Sequence, residues 1–217
     1  MPLQWSRYTA LLFAVGLGIG EAVINWGHWQ FAPLWIVDYI CVVWLLAGFY
    51  KNGLLIRSAE LDDAEAVVSI FNPIIESGLY TVFDTPFTVE QEREYILRFP
   101  ARGVFHVAVR RADQRIVGFQ SMEPFATYTR AFDHVGVIGT YVDLSLRRQG
   151  VAARLFEATF RAARLKGYEK MFTYVRGDNP AALATYLKQG FQIVGRATKQ
   201  ARIKGGYIDE IMIEKFL

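Results

Sequence analysis

The distribution of charge along the chain constrains its fold more than any single motif does. Residues 1–50 hold only three charged side chains, Arg7, Glu21 and Asp38, and all five tryptophans. The rest of the chain's 24 basic and 21 acidic residues lie beyond position 50. Two apolar runs fill the first segment, Tyr8–Trp26 and Phe31–Tyr50. Each approaches the ~20 residues that a helix needs to cross hydrocarbon. A helical hairpin over about 8–26 and 31–50 satisfies every backbone group internally, as a bilayer demands. Arg7 precedes the hairpin, Lys51 and Arg57 follow it, and the linker "GHWQ" carries neither Lys nor Arg. By the positive-inside rule, both termini and the following domain are expected in the cytoplasm, at a bacterial inner membrane. Trp5, Trp26 and Trp29 fall at the expected interfaces, where amphipathic rings settle. Residues 1–52 are thus expected to be a two-helix transmembrane anchor. The other reading is a soluble hairpin packed on protein. Glu21 and Asp38 both lie near the linker, at a depth where interfacial water is in reach; deeper in the bilayer they would handle protons or a small solute. Gly16 and Gly20 are small residues four apart, suited to close helix packing.

From residue 53 the pattern changes to short strands and amphipathic helices. "LLIRSA" reads as a strand, and "ELDDAEAVVSIFNPIIESG" as a helix bent or broken at Asn72-Pro73. "TVEQEREYILRF" opens on a capping box, Thr88 with Gln91. "VFHVAVR" and "RIVGFQSM" flank a polar turn and suggest a hairpin. "HVGVIGTYVDL" is a strand whose glycines suggest a bulge. After a helix come "KMFTYVR", the helix "NPAALATYLKQG", "FQIVGRA" and a closing strand "YIDEIMIEKF". The order implies an α+β domain over residues 53–217: a mixed sheet with helices on both faces. The formal charge of +3 gives no nucleic-acid footprint. One cysteine, Cys41, excludes an intrachain disulfide, and three histidines with one cysteine form no spaced metal set.

Chemistry concentrates at "RRQGVA", residues 147–152, between a strand and a helix. A helix start offers unsatisfied N–H groups and the positive end of the dipole, a ready anion site. Gly150 lets a phosphate approach the backbone, and Arg147, Arg148 and Gln149 add charge and donors. Downstream, "NPAALATYLKQGF" starts on a capping asparagine, Asn179, with Tyr186 two turns on.

Together these motifs resemble the GCN5-related N-acetyltransferase (GNAT) superfamily. Arg147-x-x-Gly150-x-Ala152 matches its pyrophosphate loop, and Asn179 through Ala182, Tyr186, Lys188, Gly190 and Phe191 its second motif. The resemblance covers residues 54–217 and implies a GNAT-like acyl-CoA acyltransferase fold that moves acetyl from acetyl-CoA to a small amine. It implies that Tyr141, Val142, Leu144, Arg147, Arg148, Gln149, Gly150, Val151, Ala152 and Asn179 contact acetyl-CoA, with strands splayed near Val142 and Val175. Tyr186 is implied as the acid that protonates the leaving thiolate. The base is open among Glu123, Asp133, His134 and Asp84, with Glu123 ranked first. "TVFDTPFTVEQEREYI" and "VGRATKQARIKGGYIDEIMI" are similar to the phosphinothricin and methionine-sulfoximine acetyltransferases, which implies an acceptor role for Phe83 and Asp84. Four positions depart from the pattern. Val137 stands where that subgroup has glutamate, Tyr186 where it often has histidine, Leu144 for a proline and Arg148 for a glycine. A second reading is a non-catalytic acyl-CoA sensor coupled to the hairpin. A homodimer is left open.

Overall fold

The computed structural model describes Val42 and residues 53–217. The chain divides into two compact units, Met1–Lys51 and Asn52–Leu217. Apart from Val42, which is helical and exposed, the expected hairpin over 8–26 and 31–50 lies outside the described residues. Among those described, no helix is long and apolar enough to cross a membrane.

Seven strands form one sheet: β1 Leu54–Ser58, β2 Val104–Arg110, β3 Ile116–Pro124, β4 Val135–Val142, β5 Lys170–Arg176, β6 Gln192–Ile203 and β7 Gly206–Phe216. Their order is β1-β2-β3-β4-β5-β7-β6. Only β4 and β5 pair in parallel, and every other neighbour is antiparallel. The sheet is therefore mixed, as the order of elements implied. The parallel pair needs a crossover, and a helix supplies it.

Four helices cover the two faces: α1 Ala64–Ser77, α2 Val89–Leu97, α3 Val151–Leu165 and α4 Pro180–Lys188. Residues of α1 at helical spacing, Val67, Ile70, Phe71, Ile74 and Ile75, pack on Phe105, Val107, Val109, Ile116 and Phe119. On the other face Phe156, Phe160 and Ala163 of α3 and Tyr186 of α4 pack on Val104, Met122, Ile138, Met171, Val175 and Ile213. Successive strand residues thus feed opposite cores, which is the period-2 rule with both faces covered.

Three expectations change. The helix through Asn72-Pro73 runs unbroken from Ala64 to Ser77 with Pro73 inside it. Asn72 gives the segment a second anchor: its amide donates to the Phe87 carbonyl at 2.9 Å and accepts from the Phe87 N–H at 2.9 Å. The ladder of β4 with β3 shows no bulge; its register runs without a shift from Pro124–Gly136 to Gly118–Val142. Gly136 is there for space, because a Cβ would come within 2.6 Å of the Met122 sulfur. Finally, β6 extends to Ile203, where Lys204 (φ 48) and Gly205 (φ 85) make a two-residue hairpin into β7.

Candidate active site

A cleft begins where β4 leaves β5. The two strands pair at Val135–Lys170, Gly136–Met171 and Val137–Phe172, and no further. β4 keeps its register with β3 as far as Val142. From Ile138 onward its other edge carries backbone groups that β5 does not satisfy, and such groups seek a partner. This is the splay expected between Val142 and Val175.

At the end of β4, Asp143 caps a short 3-10 turn, Leu144–Leu146. Its Oδ1 accepts from the Ser145 N–H at 2.9 Å, and Arg115 donates to its Oδ2 at 2.8 Å. The Ser145 bonds and the Arg115 charge hold this carboxyl below its usual range. Two left-handed residues follow, Arg148 (φ 64) and Gly150 (φ 81), and α3 starts at Val151. Gly150 supplies no side-chain cap, so the first-turn N–H groups of α3 have none. A Cβ on Gly150 would meet nothing within 4 Å, so the ground before the helix is open. The Arg147 guanidinium lies 3.8 Å above the Tyr80 ring centroid, while Arg148 and Gln149 are exposed. The side chain of Val151 belongs to a core cluster on which Val142 packs, and Ala152 is half-buried against the larger cluster around Phe156 and Phe160. Tyr141 stacks on Phe119 and touches Phe71. Leu144 is exposed.

Tyr186 comes from α4 and closes the cleft from the α3 face. Its ring packs edge-on to Phe156 and Phe191, and its Oη lies 3.3 Å from Thr140 Oγ1 on the open half of β4. Burial pushes its phenol up to about 12, so it holds its proton at neutral pH. Asn179 is buried and caps α4, its Oδ1 accepting from the Ala182 N–H at 3.1 Å. On the α1 face, Glu123 sits directly across from Val137 in the β3–β4 register. Tyr95 of α2 donates to Glu123 Oε1 at 2.5 Å.

Residues 73–191, more than half of the chain, match the family model described as "Acetyltransferase (GNAT) family". The chain belongs to the GNAT acetyltransferases. Relatives agree with the assignment. YwnH of Bacillus subtilis (strain 168), whose name places it provisionally with the phosphinothricin acetyltransferases, is 29% identical over 139 residues, 64% of this chain and 83% of its own. The phosphinothricin N-acetyltransferase of Streptomyces coelicolor is 22% identical over 162 residues, 74% of this chain and 94% of its own. The solved structure of a GNAT phosphinothricin acetyltransferase from Sinorhizobium meliloti, a complex with AcCoA, matches with a TM-score of 0.67 at 20% identity. It covers 76% of this chain and 88% of that one, and shares the fold.

This acetyltransferase has residues that fit acetyl-CoA on structural grounds: an uncapped helix start, a left-handed glycine facing open space, flanking arginines, and an unpaired strand edge leading inward. Glu123 stands one strand over from Val137, on the same face of the sheet. Phe83 packs edge-on to Phe71 and Phe87, and through Phe71 connects to Tyr141. Asp84 is not drawn inward: it is exposed, and its carboxylate accepts only from Thr85 Oγ1, at 3.0 Å. Asp133 is engaged with Arg102, at 3.0 Å. Sequence reasoning missed Tyr95, Thr140, Gln120 and Glu92. Glu92 of α2 is 6% exposed and pushed up to about 7 by burial. Nothing local marks these residues, because each gains its role from strand register or from the turn of α2 that faces the sheet.

Proposed function

We propose that this GNAT enzyme transfers acetyl from acetyl-CoA to a primary amine, with Glu123 as base and Tyr186 as acid. The observation that carries the reading is the cleft itself: both side chains lie next to the point where β4 and β5 part, one on each face of the sheet. When bound, acetyl-CoA supplies an activated acyl group and a thiol leaving group. The first-turn N–H groups of α3 hold its pyrophosphate, with Arg147, Arg148 and Gln149 around it. The open edge at Tyr141 and Val142 pairs with the extended arm, and the Asn179 amide nitrogen, which the helix cap leaves over, is a further donor. Glu123 takes the proton of the incoming amine at Oε2, the oxygen that Tyr95 does not occupy. Burial and the Glu123 carboxylate push the Tyr95 phenol upward, so it remains a donor throughout. Tyr186 holds a proton at Oη for the departing sulfur.

The acceptor is proposed as a small amine, amino-acid-like by analogy with the relatives named for phosphinothricin, with Phe83 beside it. Residues 1–52 are proposed as a membrane anchor that leaves both termini and the enzyme in the cytoplasm, supported by the charge asymmetry of the sequence. The test gives the full chain acetyl-CoA and a panel of primary amines and measures release of free thiol. Glu123→Gln and Tyr186→Phe should each lower kcat about a hundredfold, within the usual range for one acid–base group. Wild-type turnover in either variant rejects that residue's role, and no thiol release with any amine rejects the acceptor class.

A further inference from the structure

Gln120 is a glutamine with no exposure at all, and its Oε1 has no hydrogen-bond partner. A buried, half-satisfied amide is destabilising, and its retention calls for an explanation. Its Nε2 donates at 2.7 Å to Thr140 Oγ1, directly opposite in the β3–β4 ladder. The same Thr140 Oγ1 lies 3.3 Å from Tyr186 Oη. Thr140 belongs to the half of β4 that has parted from β5, so the three groups form a line from the sheet interior into the cleft.

A hydroxyl has one proton and two lone pairs. Gln120 Nε2 fills one lone pair of Thr140 Oγ1 with a proton the threonine does not supply. Two options remain for Thr140: accept from the Tyr186 O–H, or turn its own proton toward the Tyr186 oxygen. The first suits a protonated phenol, and the second a phenolate. Accepting from Gln120 also polarises the Thr140 hydroxyl and strengthens it as a donor, as in any hydrogen-bonded chain.

We propose that Gln120 and Thr140 are positioning residues for Tyr186: Thr140 accepts from the phenol at rest and donates to the phenolate once the proton has left, and Gln120 holds and polarises Thr140 for that reversal. The inference rests on Tyr186 being the acid. The proton passes from Tyr186 Oη to the leaving sulfur, and the charge left on Oη meets the Thr140 hydroxyl as its donor. The unpaired Gln120 Oε1 follows from the same arrangement, because the amide must turn its nitrogen to the threonine.

The test has two readouts. The first needs no acetyl-CoA. Full-length protein is labelled with 3,5-difluorotyrosine, which brings phenol ionisation down to pH values where the fold survives, and the 19F signal of residue 186 is identified by its loss in Tyr186→Phe. Thr140→Val removes the hydroxyl at constant shape and should raise the ionisation midpoint of that signal. Thr140→Ser keeps the hydroxyl and should leave it in place. Gln120→Met, a second variant, should raise the midpoint by less and unfold no more easily than wild type, since it removes an unpaired buried oxygen. The second readout is turnover. Thr140→Val should lower kcat about tenfold with KM for acetyl-CoA unchanged, Thr140→Ser should restore it, and Thr140→Val should cost nothing further in the Tyr186→Phe background. An unmoved midpoint in both Thr140→Val and Gln120→Met overturns the inference, as does a loss that adds to that of Tyr186→Phe. Full turnover in Tyr186→Phe removes the acid itself, a separate failure that these outcomes distinguish.

Discussion

Arg148 occupies the left-handed region in the loop proposed to hold acetyl-CoA, where the family resemblance implies glycine. A Cβ there costs about 1 kcal/mol relative to glycine, which adopts φ > 0 freely. Arg148→Gly should therefore raise stability to chemical denaturation by about 0.5–1 kcal/mol while weakening acetyl-CoA binding in calorimetry through the lost charge. The sequence exposes this position because the loop is six consecutive residues with a local rule. Glu92 is the opposite case. Its burial follows from which side of α2 is packed inward, and no residue near it in sequence announces that. Its folded pKa of about 7 lies above the ordinary value of 4.5. The native state thus binds more protons than the unfolded chain between those values, and stability falls as pH rises through the window. Glu92→Gln should flatten that fall. At pH 8 it should be more stable than wild type, with the difference shrinking at pH 5, as measured by urea denaturation at the two pH values.

At the scale of elements, the contact between β3 and the start of α3 sets the position of the phosphate loop. A Cβ on Gly118 would stand 2.9 Å from the Tyr141 carbonyl oxygen and 3.0 Å from Val151 Cγ1. Gly118→Ala should force β4 or α3 aside, costing about 1–3 kcal/mol and weakening acetyl-CoA binding, although Gly118 itself is not among the residues assigned to it. Denaturation and calorimetry read the two effects separately. The loop after α1 depends on Asn72 in the same way. Asn72→Ala removes both bonds to Phe87 and should cost about 1–3 kcal/mol, with faster hydrogen exchange over residues 79–88. The elements themselves were legible from periodicity and caps, down to the Thr88–Gln91 box. Two matters of pairing were not. The glycines of β4 suggested a bulge and instead admit Met122 and Tyr141 side chains. The opposition of Glu123 to Val137 and of Gln120 to Thr140 is register, which depends on how far two strands slide and not on either strand alone.

At the scale of the molecule, the described unit has its own sheet, two covered faces and a complete candidate cleft. The sequence placed its boundary by the change in charge density near residue 52, and its family by two short motifs. Residues 53–217 expressed alone should remain in the soluble fraction and keep acetyl-CoA binding, while the full chain sediments with membranes; recovery of the full chain in the soluble fraction rejects the anchor. Acceptor identity was not legible, because the side chains proposed to face the amine come from α2, β3 and the loop after α1, and each position reads locally as ordinary surface. One contact links the two halves of the reaction. Arg147, part of the pyrophosphate loop, rests on the ring of Tyr80, in the segment that leads to Phe83. Its guanidinium face leans on the ring, which leaves the in-plane N–H donors free for a phosphate. Binding free energies are reciprocal, so whatever factor donor occupancy imposes on the affinity for amine, the amine imposes on the affinity for donor. A single aromatic ring is thus enough to tie the two affinities together by one factor, which holds whichever substrate arrives first.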